Sequence, residues 1–502
     1  MGNLSTPKSV QKLQTALHAK AKAEPGYRFY ALYEKISRND IVAHAYLILV
    51  AVATLFFANL FIGHPGISTF DGDDQYKQVL SGQLNDWHPP IMARLWSVLR
   101  LVADDGNGPL FAVHVFFYWL GFWLIAGALS RLGRNRAAWA VVAVGAFPPF
   151  VVMNTHIFKD VGMAVAFLTA YSLCFFYRSR ARNIPLACSV IAAALLLYGI
   201  LVRVNGIFAA APLLAYLAYP SLLRRPVYLM AACIAVTATA IPASSILNHR
   251  VLGATATHPE SSLILFDIAG IAFFSNDVSV FWPGSSATQQ LVAECYTPVE
   301  WDTLAHRSGC DLWADQYQKR RWVSAILKHP LAYAEHRIAH FNSELFFVVP
   351  RHHTDSRVLN DYPSPPERAG LTTRQKIRDY LLSDFLVTPM FSTAIGFVVL
   401  ALSLPKPGTT PSHLETATFC LAISGLAYTL GYLLVGVATQ SRYHYWSMIA
   451  IFLASILCIS EQRRRGVSEL RIGLGSVGIV AVILSAIFAA HAICGDALSQ
   501  AN

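Results

Sequence analysis

The chain has 502 residues, of which 55% are hydrophobic and 14% charged, and its formal net charge is +10. Soluble domains carry about 25% charged residues, so this composition argues against a set of soluble domains. The positive charge lies in short clusters beside long apolar runs, which is typical of membrane topology signals and argues against nucleic-acid binding.

Apolar runs of sufficient length to cross a bilayer follow one another along the chain. They begin after a polar tail at 1–40 that shows no cleavable signal sequence, so the first run is interpreted as a membrane anchor. The predicted spans are 41–63, 109–130, 137–154, 161–177, 184–202, 207–222, 226–247, 388–404, 415–438, 446–460 and 472–493. We therefore predict an all-α polytopic membrane protein with about eleven transmembrane helices.

Basic residues occupy alternate connections between these spans. The clusters lie in the tail and at 131–136, 178–182, 224–225, 406 and 463–465. The positive-inside rule then predicts a cytoplasmic N-terminus and a periplasmic C-terminus in a bacterial inner membrane. The corresponding division is a tail (1–40), an N-terminal transmembrane module (41–247) with external loops at 64–108 and 154–160, a large periplasmic loop domain (248–387) and a C-terminal module (388–502).

The large loop contains Cys295 and Cys310. Such a pair forms a disulfide in an oxidising compartment, although two unrelated thiols would have the same spacing. Apolar positions at helical spacing within 333–347 predict a helix that lies on the membrane surface or against the bundle.

The first external loop carries the sequence FDGDDQYKQVLSGQLNDWHPPIMARLW from Phe70. Asp71, Asp73 and Asp74 follow the first span directly, and a carboxylate held at a membrane surface can accept a proton from a hydroxyl group. The alternative is that these are solvated loop residues. Two prolines after His88 fix a rigid turn, and Trp87 suits a membrane interface or a sugar face.

Further charged residues are expected at the same membrane face. Asp160 lies in the second external loop, where Lys159 could be its ion-pair partner. Arg203 and Arg442 lie where the chain emerges outward, in RVNG and QSRYHYW. Arginine holds phosphate by paired hydrogen bonds, and the alternative for both is an interfacial anchor.

The aspartate cluster, followed by DWHPP at 86–90, resembles the polytopic glycosyltransferases of the C fold (GT-C), such as protein O-mannosyltransferases and the aminoarabinose transferases of lipid A. FKDVGMA is similar to their second external acidic motif, and RVNG, HPLAYAEHRIAHF and SRYHYW are similar to later landmarks of bacterial members. DGDDQ differs from the Asp-Glu pair of the mannosyltransferases.

The resemblance implies inverting transfer of a sugar from a polyprenyl-phosphate donor to a glycan, lipid or protein acceptor at the periplasmic face. It implies Asp71 as general base, Asp74 as the reserve candidate and Asp160 as the second acidic residue. The expected substrate contacts are Asp73, Gln75, Tyr76, Trp87, His88, Arg203, Arg442, Tyr443 and His444. No cofactor is implied; gathered carboxylates would accept a divalent metal, but the resemblance does not require one.

Two other functions are compatible with the sequence. A transporter or flippase for a lipid-linked glycan would place ionisable residues near the bilayer midplane, whereas these spans hold few charges. A surface-polysaccharide polymerase or ligase would use arginines and a histidine of the large loop, and four residues there keep it open: His336, Arg337, Arg351 and His352.

Overall fold

The computed structural model describes residues 25–103, 106–313, 319–347, 388–404 and 410–464; for 25–41 and Pro226 it describes the backbone alone. Within these residues the chain is 77% helical and has no strands. The predicted all-α class is therefore confirmed.

The described helices are α1 (Pro25–Gly63), α2 (Phe70–Ser81), α3 (Pro90–Leu99), α4 (Gly108–Arg131), α5 (Asn135–Gly145), α6 (Pro148–Met153), α7 (Lys159–Arg178), α8 (Leu186–Val202), α9 (Ile207–Ala218), α10 (Pro226–Ile246), α11 (Glu260–Ser275), α12 (Gln289–Cys295), α13 (Asp302–His306), α14 (Lys319–Lys328), α15 (Pro330–Leu345), α16 (Pro389–Ser403), α17 (His413–Val435) and α18 (Tyr445–Arg464).

Six helical segments among the described residues are long and apolar enough to cross a membrane. They are Val42–Gly63, Gly108–Arg131, Lys159–Arg178, Val227–Val251, His413–Val435 and Ser441–Arg464. This content fits a multi-pass membrane protein.

The structure does not reproduce the predicted count of eleven spans. The predicted span 137–154 is two helices, because Pro148 and Pro149 lack backbone donors and start a new helix after Phe147. The helices at 184–202, 207–222 and 388–404 are present, but α8, α9 and α16 have only 17, 12 and 15 residues. The last predicted span, 472–493, lies outside the described residues, and α1 begins inside the predicted polar tail.

The bundle packs through small residues that allow helices to approach closely. Gly121 of α4 lies against Leu168 of α7, and Gly199 of α8 lies against Phe167 of α7. Any side chain at either glycine would collide with these neighbours, as is common where membrane helices pack. Helix α7 is enclosed as a result, with Phe167 and Leu168 fully buried.

The basic clusters meet at one end of the bundle, which we call the basic end. Arg134, between α4 and α5, pairs with Glu461 near the end of α18 at 2.9 Å. Arg224 donates to Thr416 Oγ1 of α17 at 3.3 Å, and Arg178 donates to the carbonyl of Leu217 at 2.6 Å. The sequence clusters at 131–136, 178–182 and 224–225 are neighbours in space, because Arg131 lies 5.0 Å from the ring of Phe176, and one cavity is lined by residues of the other two clusters.

The opposite end, which we call the polar end, is assembled by three isolated backbone bridges. They pair Ile67 with His156, Asn85 with Thr255, and Glu300 with Ala438. They join the loop after α1 to the loop before α7, the segment between α2 and α3 to the start of the large loop, and a later part of the large loop to the segment before α18. Segments remote in sequence thereby present their side chains together.

The large loop has its own hydrophobic core, in which Phe266, Val292 and Leu304 are fully buried. A disulfide joins Cys295 to Cys310 in this core. The helix predicted in 333–347 is α15; it packs against α11, and Arg337 donates to the carbonyl of Gly436 at 2.7 Å. The helix thus lies against neighbouring helices, the second of the two alternatives.

Candidate active site

Five charged residues meet at the polar end, and we call them the charge cluster: Asp71, Lys159, Asp160, Arg203 and Arg442. Each lies in the first turn of a helix or in the connection between two helices. The backbone of Ile67 donates to the carbonyl of Thr155 at 2.8 Å and accepts from Ile157 at 2.8 Å. This pairing fixes the start of α2 beside the start of α7, and so places Asp71 next to Lys159.

Asp71 is the accessible carboxylate of the cluster. Its Oδ2 lies 3.2 Å from Arg442 Nη2 and 3.8 Å from Lys159 Nζ, and its side chain is 30% exposed. Burial alone would raise its pKa, but the positive charges of Lys159 and Arg442 lower the pKa to about 2. Asp71 is therefore ionised at neutral pH.

Asp160 is the enclosed carboxylate. Its Oδ1 lies 2.9 Å from Arg203 Nε, and its side chain is 1% exposed. Lys159, the partner that the sequence suggested as an alternative, contacts Asp71 instead. In the described part of the chain neither Asp160 oxygen accepts a hydrogen bond of good geometry, so charge attraction is what compensates it.

The two arginines are held by aromatic rings. Arg203 and Arg442 lie over the ring of Tyr443 at 4.5 and 5.4 Å, and Arg442 also lies 4.4 Å from the ring of Phe158. Arg203 donates to Tyr432 Oη at 3.0 Å. Their side chains are 15% and 4% exposed, which does not fit the interfacial anchors of the alternative interpretation.

The charge cluster has an excess of positive charge. Within the cluster three cationic side chains face two carboxylates, a surplus of one positive charge that the nearby Asp74 offsets in part. Buried, preorganised cations favour an incoming anion, and guanidinium groups match phosphate geometry. The arrangement can therefore hold a phosphate next to a carboxylate that accepts protons.

Asp74 and His88 contact each other beside Asp71. Asp74 lies one helical turn from Asp71, 3.5 Å from His88 Nε2, and accepts from Gln78 at 3.1 Å. Burial and the nearby charge of Lys159 lower the pKa of His88 to about 4, so the imidazole is neutral at pH 7. Pro90 starts α3 directly after this contact.

Trp87 belongs to an aromatic group that includes residues of the large loop. Its ring lies 6.0 Å from that of Trp301 and 6.2 Å from that of Trp313. Asp302 follows Trp301; burial and the charge of Glu300 raise its pKa to about 6, and Asp71 contributes in the same direction. Sequence reasoning missed these large-loop residues because their distance along the chain conceals their proximity.

The structure separates other predicted contacts from the charge cluster. Asp73 is exposed, and Gln75 is buried with its amide 3.3 Å from the Asp71 carbonyl. Tyr76 packs against Trp96, at 5.0 Å between ring centres. His444 is fully buried, with Nε2 3.0 Å from Glu344.

The loop residues that would serve a ligase lie in a closed network, which we call the buried network: Asp267, Tyr296, Trp322, His336 and Arg337. Asp267 contacts Arg337, lies 3.1 Å from His336 Nε2 and accepts from Trp322 at 2.8 Å. Both Asp267 and His336 are inaccessible to solvent. The other two ligase residues, Arg351 and His352, lie outside the described residues.

In the described ranges no group of three or more His, Cys, Asp or Glu residues is placed to hold a metal ion.

No family model, curated protein or solved structure matches this chain.

Proposed function

We propose that the chain is an inverting membrane glycosyltransferase of the GT-C class that moves a sugar from a polyprenyl-phosphate donor to an envelope glycan, lipid or protein. The observation that supports this most is the contact between Asp71 and Arg442, beside Lys159. It combines a proton acceptor with cations suited to a leaving phosphate. The proposal places this site at the periplasmic face of the inner membrane.

The cations are proposed to act on the donor phosphate. A sugar linked through a phosphodiester carries one negative charge, and a second develops when the sugar–oxygen bond breaks. Arg442 and Lys159 contact the partly exposed Asp71, and Arg203 pairs with the enclosed Asp160. Cations fixed in place before the reaction stabilise the developing charge without reorganisation.

Asp71 is proposed to act on the acceptor. Its carboxylate takes the hydroxyl proton while the hydroxyl oxygen attacks the anomeric carbon from the face opposite the phosphate. The new bond to the acceptor forms, the bond to phosphate breaks, and the polyprenyl phosphate leaves with the electron pair. Asp74 remains the reserve base, although it lies beside His88 and outside the charge cluster.

The donor would also activate the base. A carboxylate with a pKa of about 2 is a weak proton acceptor, and Lys159 and Arg442 are what hold that pKa down. A phosphate bound to these cations neutralises part of their charge, so the pKa of Asp71 rises when the donor is present. Proton transfer is then favoured only in the loaded site.

The geometry supports this function over the two alternatives. A transporter would place its charged residues near the midplane, whereas these lie in first turns and connections at the polar end. A ligase centred on His336 and Arg337 would need them accessible, and both are buried.

The test is mass spectrometry of envelope glycans and lipids from cells that contain the wild-type chain, the Asp71→Asn variant or neither. We expect a sugar-sized mass difference with wild type alone, which would identify both sugar and acceptor. Movement of a lipid-linked glycan with no new covalent product would contradict transfer and favour the transporter.

A further inference from the structure

We propose that the basic end contains a second ligand site, independent of the charge cluster, that binds a phosphate-bearing anion. The site is a cavity of about 210 Å³ where the ends of α7 and α9 meet the start of α17. Its lining includes Arg178, Arg182, Arg224 and His413. Three guanidinium groups thus border one small space.

The arginines of this cavity lack acidic partners. Within the described ranges no carboxylate forms an ion pair with Arg178, Arg182 or Arg224, whereas the neighbouring Arg134 pairs with Glu461 at 2.9 Å. Arg178 and Arg224 instead donate to neutral oxygens, at 2.6 Å to the Leu217 carbonyl and at 3.3 Å to Thr416 Oγ1. Their positive charges are left for an anion to balance.

Buried donors in the same cavity also lack partners. Tyr216 lines the cavity and is 1% exposed, and its hydroxyl has no hydrogen-bond partner in the described structure. The same is true of Arg178 Nε, and the Arg178 guanidinium lies 5.7 Å from the Tyr216 ring. Buried polar groups are normally satisfied, so a hydroxyl group and a guanidinium nitrogen that lack partners beside one cavity indicate a polar ligand.

The surroundings favour the phosphate of a membrane lipid over free phosphate. Leu186 at the start of α8 is 81% exposed, Tyr219 is 65% exposed and Val227 at the start of α10 is 69% exposed. Each of these exposed residues lies within three positions of a residue that lines the cavity, namely Asn183, Pro220 or Arg224. A phospholipid can place its phosphate among the arginines while its acyl chains cover apolar helix faces.

The experiment uses the purified full chain in neutral detergent, titrated with dioctanoyl phosphatidylglycerol or with inorganic phosphate. A ligand of the folded state raises the midpoint of thermal unfolding in a saturable manner. The double variant Arg182→Gln/Arg224→Gln should bind at least tenfold more weakly, because two charge-assisted contacts are lost. Tyr216→Phe should weaken binding by a smaller factor.

The matched control is Arg225→Gln, which removes the same charge one position away from Arg224 but does not line the cavity; Arg225 lies over Tyr228. It should bind like wild type. Saturable binding of the lipid alone supports a lipid headgroup site, and equal binding of inorganic phosphate supports a free phosphate site. Absence of binding by both, or equal weakening in Arg225→Gln and the double variant, would overturn the proposal.

Discussion

The charge cluster and the buried network are made from similar residues and differ in their exposure to solvent. Each joins a carboxylate to arginine, Asp71 to Arg442 and Asp267 to Arg337. Asp71 is 30% exposed and borders an excess of positive charge, whereas Asp267 is inaccessible and is surrounded by Arg337, His336 and Trp322.

This difference separates a site that can accept a ligand from one that holds the protein together. A buried pair that solvent cannot reach leaves no room for a substrate, and breaking it leaves an uncompensated charge. The charge cluster has a partly exposed base and a positive charge to balance. We therefore expect changes in the charge cluster to alter rate, and changes in the buried network to alter stability.

The largest effect on stability is expected from Asp267→Ala. Removing this carboxylate leaves Arg337 buried without its partner, which costs about 3–5 kcal/mol of unfolding free energy. Chemical and thermal unfolding in detergent, followed by circular dichroism, would measure the loss.

Glu260→Ala is the matched control for that change. Glu260 pairs with Lys319 at 3.0 Å on the surface of the same domain, where the two side chains are 40% and 70% exposed. Exposed pairs contribute less than about 1 kcal/mol, so this variant should unfold close to wild type. Equal losses of unfolding free energy in the two variants would contradict the distinction between the carboxylate of the buried network and an exposed carboxylate.

The disulfide of the same domain should have the next largest effect. Replacing Cys295 and Cys310 with serine should lower stability by about 3 kcal/mol, the expectation for a bridge that closes a 15-residue loop. Unfolding measured with and without reductant checks this, because reductant should affect wild type alone. The rate of transfer per folded molecule should not change.

The sequence was sufficient to predict the helical class and which loops carry the charged residues. The basic clusters at 131–136, 178–182 and 224–225 were predicted to share one side of the membrane, because the position of charges relative to apolar runs is a local property of the sequence. Asp71, Asp160, Arg203 and Arg442 were all named as candidates from their positions beside spans. Their roles remain predictions.

Pairings across long sequence distances could not be predicted. Arg442 and Asp71 are 371 positions apart, and nothing local distinguishes this partner from Asp160. Lys159 lies next to Asp160 in sequence but contacts Asp71, because the bridge at Ile67 brings α2 to α7. Nothing in the sequence shows that His336 and His444 are completely inaccessible to solvent; the packing of the folded chain determines this.

Arg442→Gln tests the charge cluster. Loss of one charge-assisted contact to the donor phosphate should reduce kcat/KM by about tenfold or more. Stability should fall less than in Arg337→Gln, because the carboxylate left without its partner is the 30% exposed Asp71, which water can solvate. Steady-state kinetics at varied donor concentration measure kcat/KM. The comparison variant is Arg337→Gln in the buried network, which should lose stability and keep its rate of transfer per folded molecule.

A pH dependence of stability is also expected. Burial lowers the pKa of His340 to about 3 and, with Lys159, that of His88 to about 4. An unfolded histidine has a pKa of about 6.5, so the unfolded state binds more protons and stability falls as pH drops from about 6.5 towards 4. His340→Asn should reduce the slope of unfolding free energy against pH; an unchanged slope would show that His340 is not a source of it.

The most direct test of the central claim compares two aspartates of α2 in one transfer assay. Asp71 lies in the charge cluster, and Asp73 is exposed two positions later. Asp71→Asn should slow sugar transfer by about 100-fold or more, the contribution of a general base, while Asp73→Asn stays within about twofold of wild type at equal protein level. Transfer by Asp71→Asn at the wild-type rate would contradict the assignment of Asp71 as the base.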